Sequence, residues 1–307
     1  MTSANFPRVL GAIFAMFFSG VGVHAADLGP RGPAAAPSPD AATGEFPGGD
    51  IFGFTSGTDV GKVGDRGLAL ESSGAYGIRA GRYHGLSQKL ELSGTFVENW
   101  SFAGSLFGVW TSLRNNPDFP NRTAYGFDGV SFEVRHRLIE RSATNPFAVT
   151  LAIEPRWSRL DGISGQRATG YGAEAKLQID APVADRLFWA ANANFASSRT
   201  RDPLDLTWSN ASATALSTAL TYEAIKETLF VGAEARWQQA WSKGFFGKLD
   251  GQAFYFGPTI AWAAKENVTI NAVFLPQIAG KARGVSGPLD LDNFNRANYR
   301  LKIAVSF

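Results

Sequence analysis

His84 lies three residues before Ser87 in Arg82-Tyr83-His84-Gly85-Leu86-Ser87, a stretch read as an outer loop, and this is the nearest approach to a base beside a nucleophile. Hydrolysis at neutral pH needs a general base poised near 7, and histidine supplies one. The chain has three histidines, of which His24 falls in the leader described below and His136 shares a face with Val134 and Leu138, as an interfacial residue would. No Gly-x-Ser-x-Gly turn accompanies Ser87. The absence of cysteine excludes disulfides, thiolate metal ligands and cysteine nucleophiles. Asp290-Leu291-Asp292-Asn293 gathers oxygen ligands but lacks the glycine and distal glutamate of a calcium loop. Gly74, Gly77 and Gly81 hint at a phosphate loop, yet nothing helical follows them. No catalytic residue, metal site or cofactor is assigned, and a lipid or ester hydrolase is kept as an alternative.

A larger set of ionisable residues shares one register: Glu133, Arg135, Arg137, Glu154, Arg156, Glu174, Lys176, Glu234, Arg236, Arg300 and Lys302. Rows of acids and bases on neighbouring strands can act as ionic struts. They can equally line a selectivity path, as charged rings do in pores. Seven of these residues are basic and four acidic, a lean toward anions that Glu71, Arg79, Asp180 and Glu223, whose registers the alternation leaves open, could erase.

The elements that must position these residues follow from a period of two. Val149, Leu151, Ile153, Pro155 and Trp157 alternate with Thr150, Ala152, Glu154, Arg156 and Ser158, and Leu177 and Ile179 with Lys176, Gln178 and Asp180. A helix would mix these acids and bases into the apolar stripe. Strands are expected near 68–80, 86–96, 101–111, 123–138, 146–158, 169–180, 187–198, 212–224, 228–241, 251–264, 267–278 and 297–307. Their connections alternate short and long, with 112–122, 159–168, 199–211, 242–250 and 279–296 the long ones. An even strand count and alternating loop lengths are features of transmembrane barrels. A strand of about 10 residues, tilted about 40°, covers the roughly 25 Å apolar band of such a barrel.

The solvent for the apolar face decides between a soluble sandwich and a membrane barrel. Twelve faces rich in Trp, Phe and Leu would be hard to bury in one protein interior, whereas lipid can meet them while the charged faces line a wet lumen. Trp157, Trp189, Trp237 and Trp262 fall near strand ends on the outward register, as an interfacial girdle would. The expected fold class is all-β: a transmembrane antiparallel up-and-down β-barrel of about twelve strands. Residues 101–111 fit least well, because Phe102, Leu106 and Trp110 oppose the equally apolar Phe107 and Val109.

Arg8, the apolar run Val9 to Val23 and the small residues Ala25 and Ala26 have the pattern of a secretory signal peptide, assigned to 1–25. Residues 26–50, rich in Pro, Ala and Gly, read as a disordered periplasmic tether, and 51–307 as the barrel. A net charge of +2 with no basic block excludes nucleic acid as a partner.

The chain closes on a strand in which Tyr299, Leu301, Ile303, Val305 and Phe307 share a face. This resembles the terminal strand of Gram-negative outer-membrane proteins, and the resemblance implies recognition by the barrel assembly machinery. Further stretches are similar to a set of alphaproteobacterial, porin-like outer-membrane barrels without an assigned substrate: Asp50-Ile51-Phe52-Gly53-Phe54 through Asp59-Val60-Gly61, Gly232 to Trp237, Gly251-Gln252-Ala253 with Gly257-Pro258-Thr259, and Leu289 to Phe294. The resemblance, over about residues 50–307, implies the fold and an outer-membrane location. The expected partners are outer-membrane lipid and lipopolysaccharide, the assembly machinery, and small polar solutes. The expected function is a narrow pore for small polar or anionic solutes, with a hydrolase or a structural or adhesive barrel as alternatives.

Overall fold

A computed structural model of the chain describes residues 50–307, apart from 118, 163 and 203–205. The stretches 1–25 and 26–50, read as leader and tether, lie outside the described residues except for Asp50. The strands are β1 (Arg66–Tyr76), β2 (Arg82–Val97), β3 (Trp100–Arg114), β4 (Arg122–Ile139), β5 (Ala148–Leu160), β6 (Arg167–Ala184), β7 (Leu187–Arg201), β8 (Trp208–Ile225), β9 (Leu229–Ser242), β10 (Lys248–Lys265), β11 (Val268–Ala282) and β12 (Ala297–Ser306). Each pairs antiparallel with its neighbours in sequence, and β1 pairs with β12 to close a twelve-stranded barrel. Closure leaves no open sheet edge, which a sheet surrounded by hydrocarbon could not tolerate.

The barrel is inside out relative to a soluble protein. Leu92, Leu106, Ile153 and Leu216 are about half exposed on the outer face, while Lys176, Lys302, Glu154 and Glu234 are buried within. Trp157, Trp189, Trp237 and Trp262 fall in outward positions, as expected. Phe107 and Val109 turn inward on β3, and Phe107 is a stacking partner, with the Arg156 guanidinium 3.9 Å and the Lys89 ammonium 5.9 Å from its ring centre. The doubly apolar pattern of that strand therefore reflects an interior aromatic that carries cations on its face.

One end of the barrel has tight turns. Glu98-Asn99 and Asp185-Arg186 each span two residues, and Asn99 (φ 63°) and Arg186 (φ 57°) adopt the left-handed conformation that such hairpins require. Loops at the opposite end are shorter than expected, because β4, β6, β7 and β8 extend into stretches read as loop; Arg283–Arg296 between β11 and β12 is the longest. The two ends are called the short-turn and long-loop ends below.

Candidate functional site

The inner face of the barrel is not an open, wet lumen. Before β1 begins, Asp50 to Val60 enters the barrel from the short-turn end and is buried there apart from the partly exposed Asp59. The run has no partner strand. Gly53 and Gly57 interrupt it, and its polar backbone is satisfied by side chains projecting from the wall.

These contacts reach most of the circumference. At β11 and β12, the Asp50 carboxylate lies 2.7 Å from Lys302 Nζ and 3.7 Å from Arg300, while Asn271 donates to the carbonyls of Asp50 and Phe52. Ile51 and Phe52 pack on Phe188, Ala190, Ala219, Phe230 and Ala261 from β7 to β10. Arg300 donates to the Gly53 carbonyl. Thr55 N–H donates to Glu234 on β9 at 2.9 Å, and Ser56 N–H to Asn192 on β7 at 2.6 Å. Thr58 N–H donates to Asp180 on β6 at 2.6 Å, and Thr150 on β5 donates back to the Thr58 carbonyl at 2.6 Å. Arg135 on β4 holds the Gly57 carbonyl at 3.0 Å, Arg137 lies 3.3 Å from Asp59, and Thr95 on β2 holds the Val60 carbonyl. Phe54 reaches furthest from the short-turn end, packing with Tyr255, Leu275 and Phe294, and the guanidinium groups of Arg236 and Arg300 stand 5.3 and 5.4 Å from its ring centre.

The other end is filled by the loop between β11 and β12. Gln277 accepts from Asp290 N–H at 2.7 Å and donates to the Asp290 carbonyl at 3.0 Å, and Tyr255 donates to the Asn295 carbonyl at 2.9 Å. Phe294 thereby joins the buried apolar cluster that holds Phe54, so inserts from both ends share one core. Between Glu174, Asn194, Arg236, Gln238 and Phe294 a cavity of about 10 Å³ remains, room for about one water molecule. Asp290 accepts from Asp292 N–H and from the backbone and side chain of Asn293, and burial pushes its carboxyl above the usual carboxylate range. The acidic cluster noted in the sequence is thus engaged in holding its own loop, with Asp292 2.6 Å from Arg79.

Beside the inserted segment lies a second network. Lys176 Nζ sits 2.6 Å from both Glu133 and Glu154 and 3.7 Å from Glu174; Ser131 donates to Glu154, and Asn194 to Glu174. Arg156 pairs with Asp128 at 2.6 Å, and Arg135 donates to Gln178 at 2.7 Å. The eleven charged positions predicted for the inner register all lie on it, Arg137 and Arg156 partly buried and the others fully so. Five of them reach the inserted segment, namely Arg135, Arg137, Glu234, Arg300 and Lys302, and Arg236 faces its phenylalanine. The excess of bases is erased, in part by Glu71, Asp180 and Glu223, whose registers the sequence left open. Lys89 joins the bases, while Glu71, Glu91, Asp128, Asp180 and Glu223 are also buried, so this wall set holds eight bases and nine acids. The physical reason is pairing, since a cation shut away from water needs an anion nearby.

The His84–Ser87 pairing is broken by the strand. Both residues lie on β2, not in a loop, and three positions apart they face opposite sides. His84 is outward, 2.5 Å from the Tyr299 hydroxyl and edge-on to Trp110, an aromatic cluster near the long-loop end. His136 stacks on Trp100 at 4.1 Å near the short-turn end. Tyr299, Leu301, Ile303, Val305 and Phe307 all point outward from the seam with β1. Sequence reasoning missed the role of Asp50 to Val60. The available trace was a glycine- and threonine-rich run carrying buried-type residues (Ile51, Phe52, Phe54) without sustained alternation.

The fold is similar to that of the COG4313 outer membrane channel from Pseudomonas putida F1, with a TM-score of 0.58 at 8% identity over 80% of this chain and 96% of that one. It is also similar to the beta domain of the Bordetella autotransporter BrkA, with a TM-score of 0.50 at 14% identity over 84% of this chain and 100% of that one. Likeness at this identity is one of fold: a porin-like outer-membrane type of barrel. No curated protein matches the chain. A model of a family of unknown function, DUF6662, matches residues 45–307, a span that contains the inserted segment and every strand, and the chain belongs to that family.

Proposed function

We propose that the protein is an outer-membrane diffusion channel for small polar solutes whose resting state is closed by Asp50 to Val60. The observation that carries this reading is how the segment is held. It occupies a polar, charged interior through side-chain hydrogen bonds and ion pairs, and it shares no ladder with the wall. A segment bound in this way can leave while the barrel stays intact, as local opening below the global unfolding free energy.

Both chain termini of the barrel lie at the short-turn end, which in barrels of this type faces the periplasm. The leader would deliver the chain across the inner membrane, and the outward face of β12 would be the part engaged during assembly. The segment then closes the channel from the periplasmic side. Any preference for anionic solutes arises at the basic long-loop mouth, by steering, since the interior charges are compensated.

The lack of native cysteine makes the test clean. In planar bilayers the full chain is expected to show rare, low-conductance openings, and a variant lacking residues 50–61, with the β11–β12 loop also shortened to a tight turn, stable conductance. Ser56→Cys with Asn192→Cys should lock the channel shut when oxidised and release it when reduced. A silent deletion variant that is demonstrably folded by its heat-shifted gel mobility would overturn the reading.

A further inference from the structure

The two ends of the barrel carry different charge. Among the described residues, the long-loop end presents twelve exposed arginines and lysines, and its aspartates are buried or only partly exposed; the short-turn end presents four exposed bases and five exposed acids. Interior ion pairing does not account for these side chains, because they lie outside the inner network.

Part of this charge faces sideways, where lipid meets the barrel. Tyr171 and Arg199 are directly opposed on β6 and β7, as are Arg201 and Trp208 on β7 and β8. Tyr171 is 56% and Trp208 42% exposed, their rings stack at 6.2 Å, and the Arg199 guanidinium lies 5.0 Å from the Trp208 ring centre. Arg167 is exposed on the same face of β6, nearer the loops. The arrangement is an aromatic belt at interface depth with guanidinium groups at and beyond it. Guanidinium forks match phosphate oxygens, and stacking on an indole leaves the fork edge free to bind them.

We propose that Arg167, Arg199 and Arg201, set above Tyr171 and Trp208, form a binding site for the phosphates of lipopolysaccharide in the outer leaflet. The proposal rests on the outer-membrane orientation given above but not on conduction. The apolar surface below the belt accommodates acyl chains, and the belt fixes the depth at which the phosphates arrive. At the short-turn end the mixed exposed charge provides no equivalent site.

The test is native mass spectrometry of the folded full chain with diphosphoryl lipid A and with its dephosphorylated form. The wild type is expected to retain the phosphorylated lipid more strongly, increasingly so as salt is lowered. At about fivefold per arginine near an anionic surface, Arg199→Ala with Arg201→Ala should weaken retention about 30-fold. The same double change should leave binding of dephosphorylated lipid A unaltered. Replacing both by lysine should recover part of the loss, and Lys226→Ala with Lys265→Ala at the opposite end should change nothing. Equal retention of the two lipids, or an alanine variant within threefold of wild type, would overturn the proposal. Heat-shifted gel mobility reports folding separately, and bilayer conductance separately tests the channel, so failure here is distinguishable from failure of either.

Discussion

Lys176 illustrates how single residues behave in this barrel. Three glutamates converge on its ammonium group and all four side chains are buried, so none can fall back on bulk water if its partner is lost. Lys176→Met should therefore destabilise the barrel by about 3–5 kcal/mol, the usual cost of leaving buried charge uncompensated. Urea unfolding from vesicles would measure it, and Lys176→Met combined with Glu133→Gln and Glu154→Gln should recover much of the loss. The side of the barrel on which each charge falls was legible from alternation alone. Which acid meets which base was not, because pairing depends on register between strands; Lys176 meets Glu133 across an intervening strand. The same rule disposes of His84 and Ser87, whose proximity in sequence becomes separation across the wall.

Two elements stand apart from the strands, and each is open to a direct test. Gly53 rests where a Cβ would run into Glu234, Thr259 and Val273. Gly53→Val should thus expel the segment while leaving the wall paired, exposing residues 50–61 to protease. For the β11–β12 loop the coupling is to protons. The carboxyl of Asp290 titrates above the usual range because the loop is buried. A group raised in this way stabilises docking below the usual carboxylate pKa, and that contribution is lost as pH rises through the raised value. Proteolysis of residues 283–296 should accelerate from pH 4 to neutrality, and Asp290→Asn, which keeps an oxygen for the N–H groups of Asp292 and Asn293, should flatten the profile.

At the scale of the whole molecule, lipid replaces protein as the surroundings of the apolar residues. The penalty for a charge on the outer face should then depend on depth. Leu177 lies mid-strand on β6 and Tyr171 nearer the long-loop end, both outward. Leu177→Arg should cost about 2–4 kcal/mol and Tyr171→Arg about 0–1 kcal/mol in vesicle-based unfolding. Equal costs would contradict a bilayer around the barrel. Closure through β1 and β12 makes the wall one continuous ladder, in which Arg66 and Phe307 exchange backbone hydrogen bonds at the seam.

Strand number, the antiparallel order and the sidedness of nearly every wall residue can be read from the chain unaided, because a period of two is a local property and lipid outside imposes it on every strand. Residues 50–60 carry no such period. Their place depends on groups from 35 to more than 200 positions away, from Thr95 to Lys302, which come together only when the barrel closes. The same holds for the balance of interior charge and for the basic rim. Both are sums over many strands, and they exist only once those strands share a common axis.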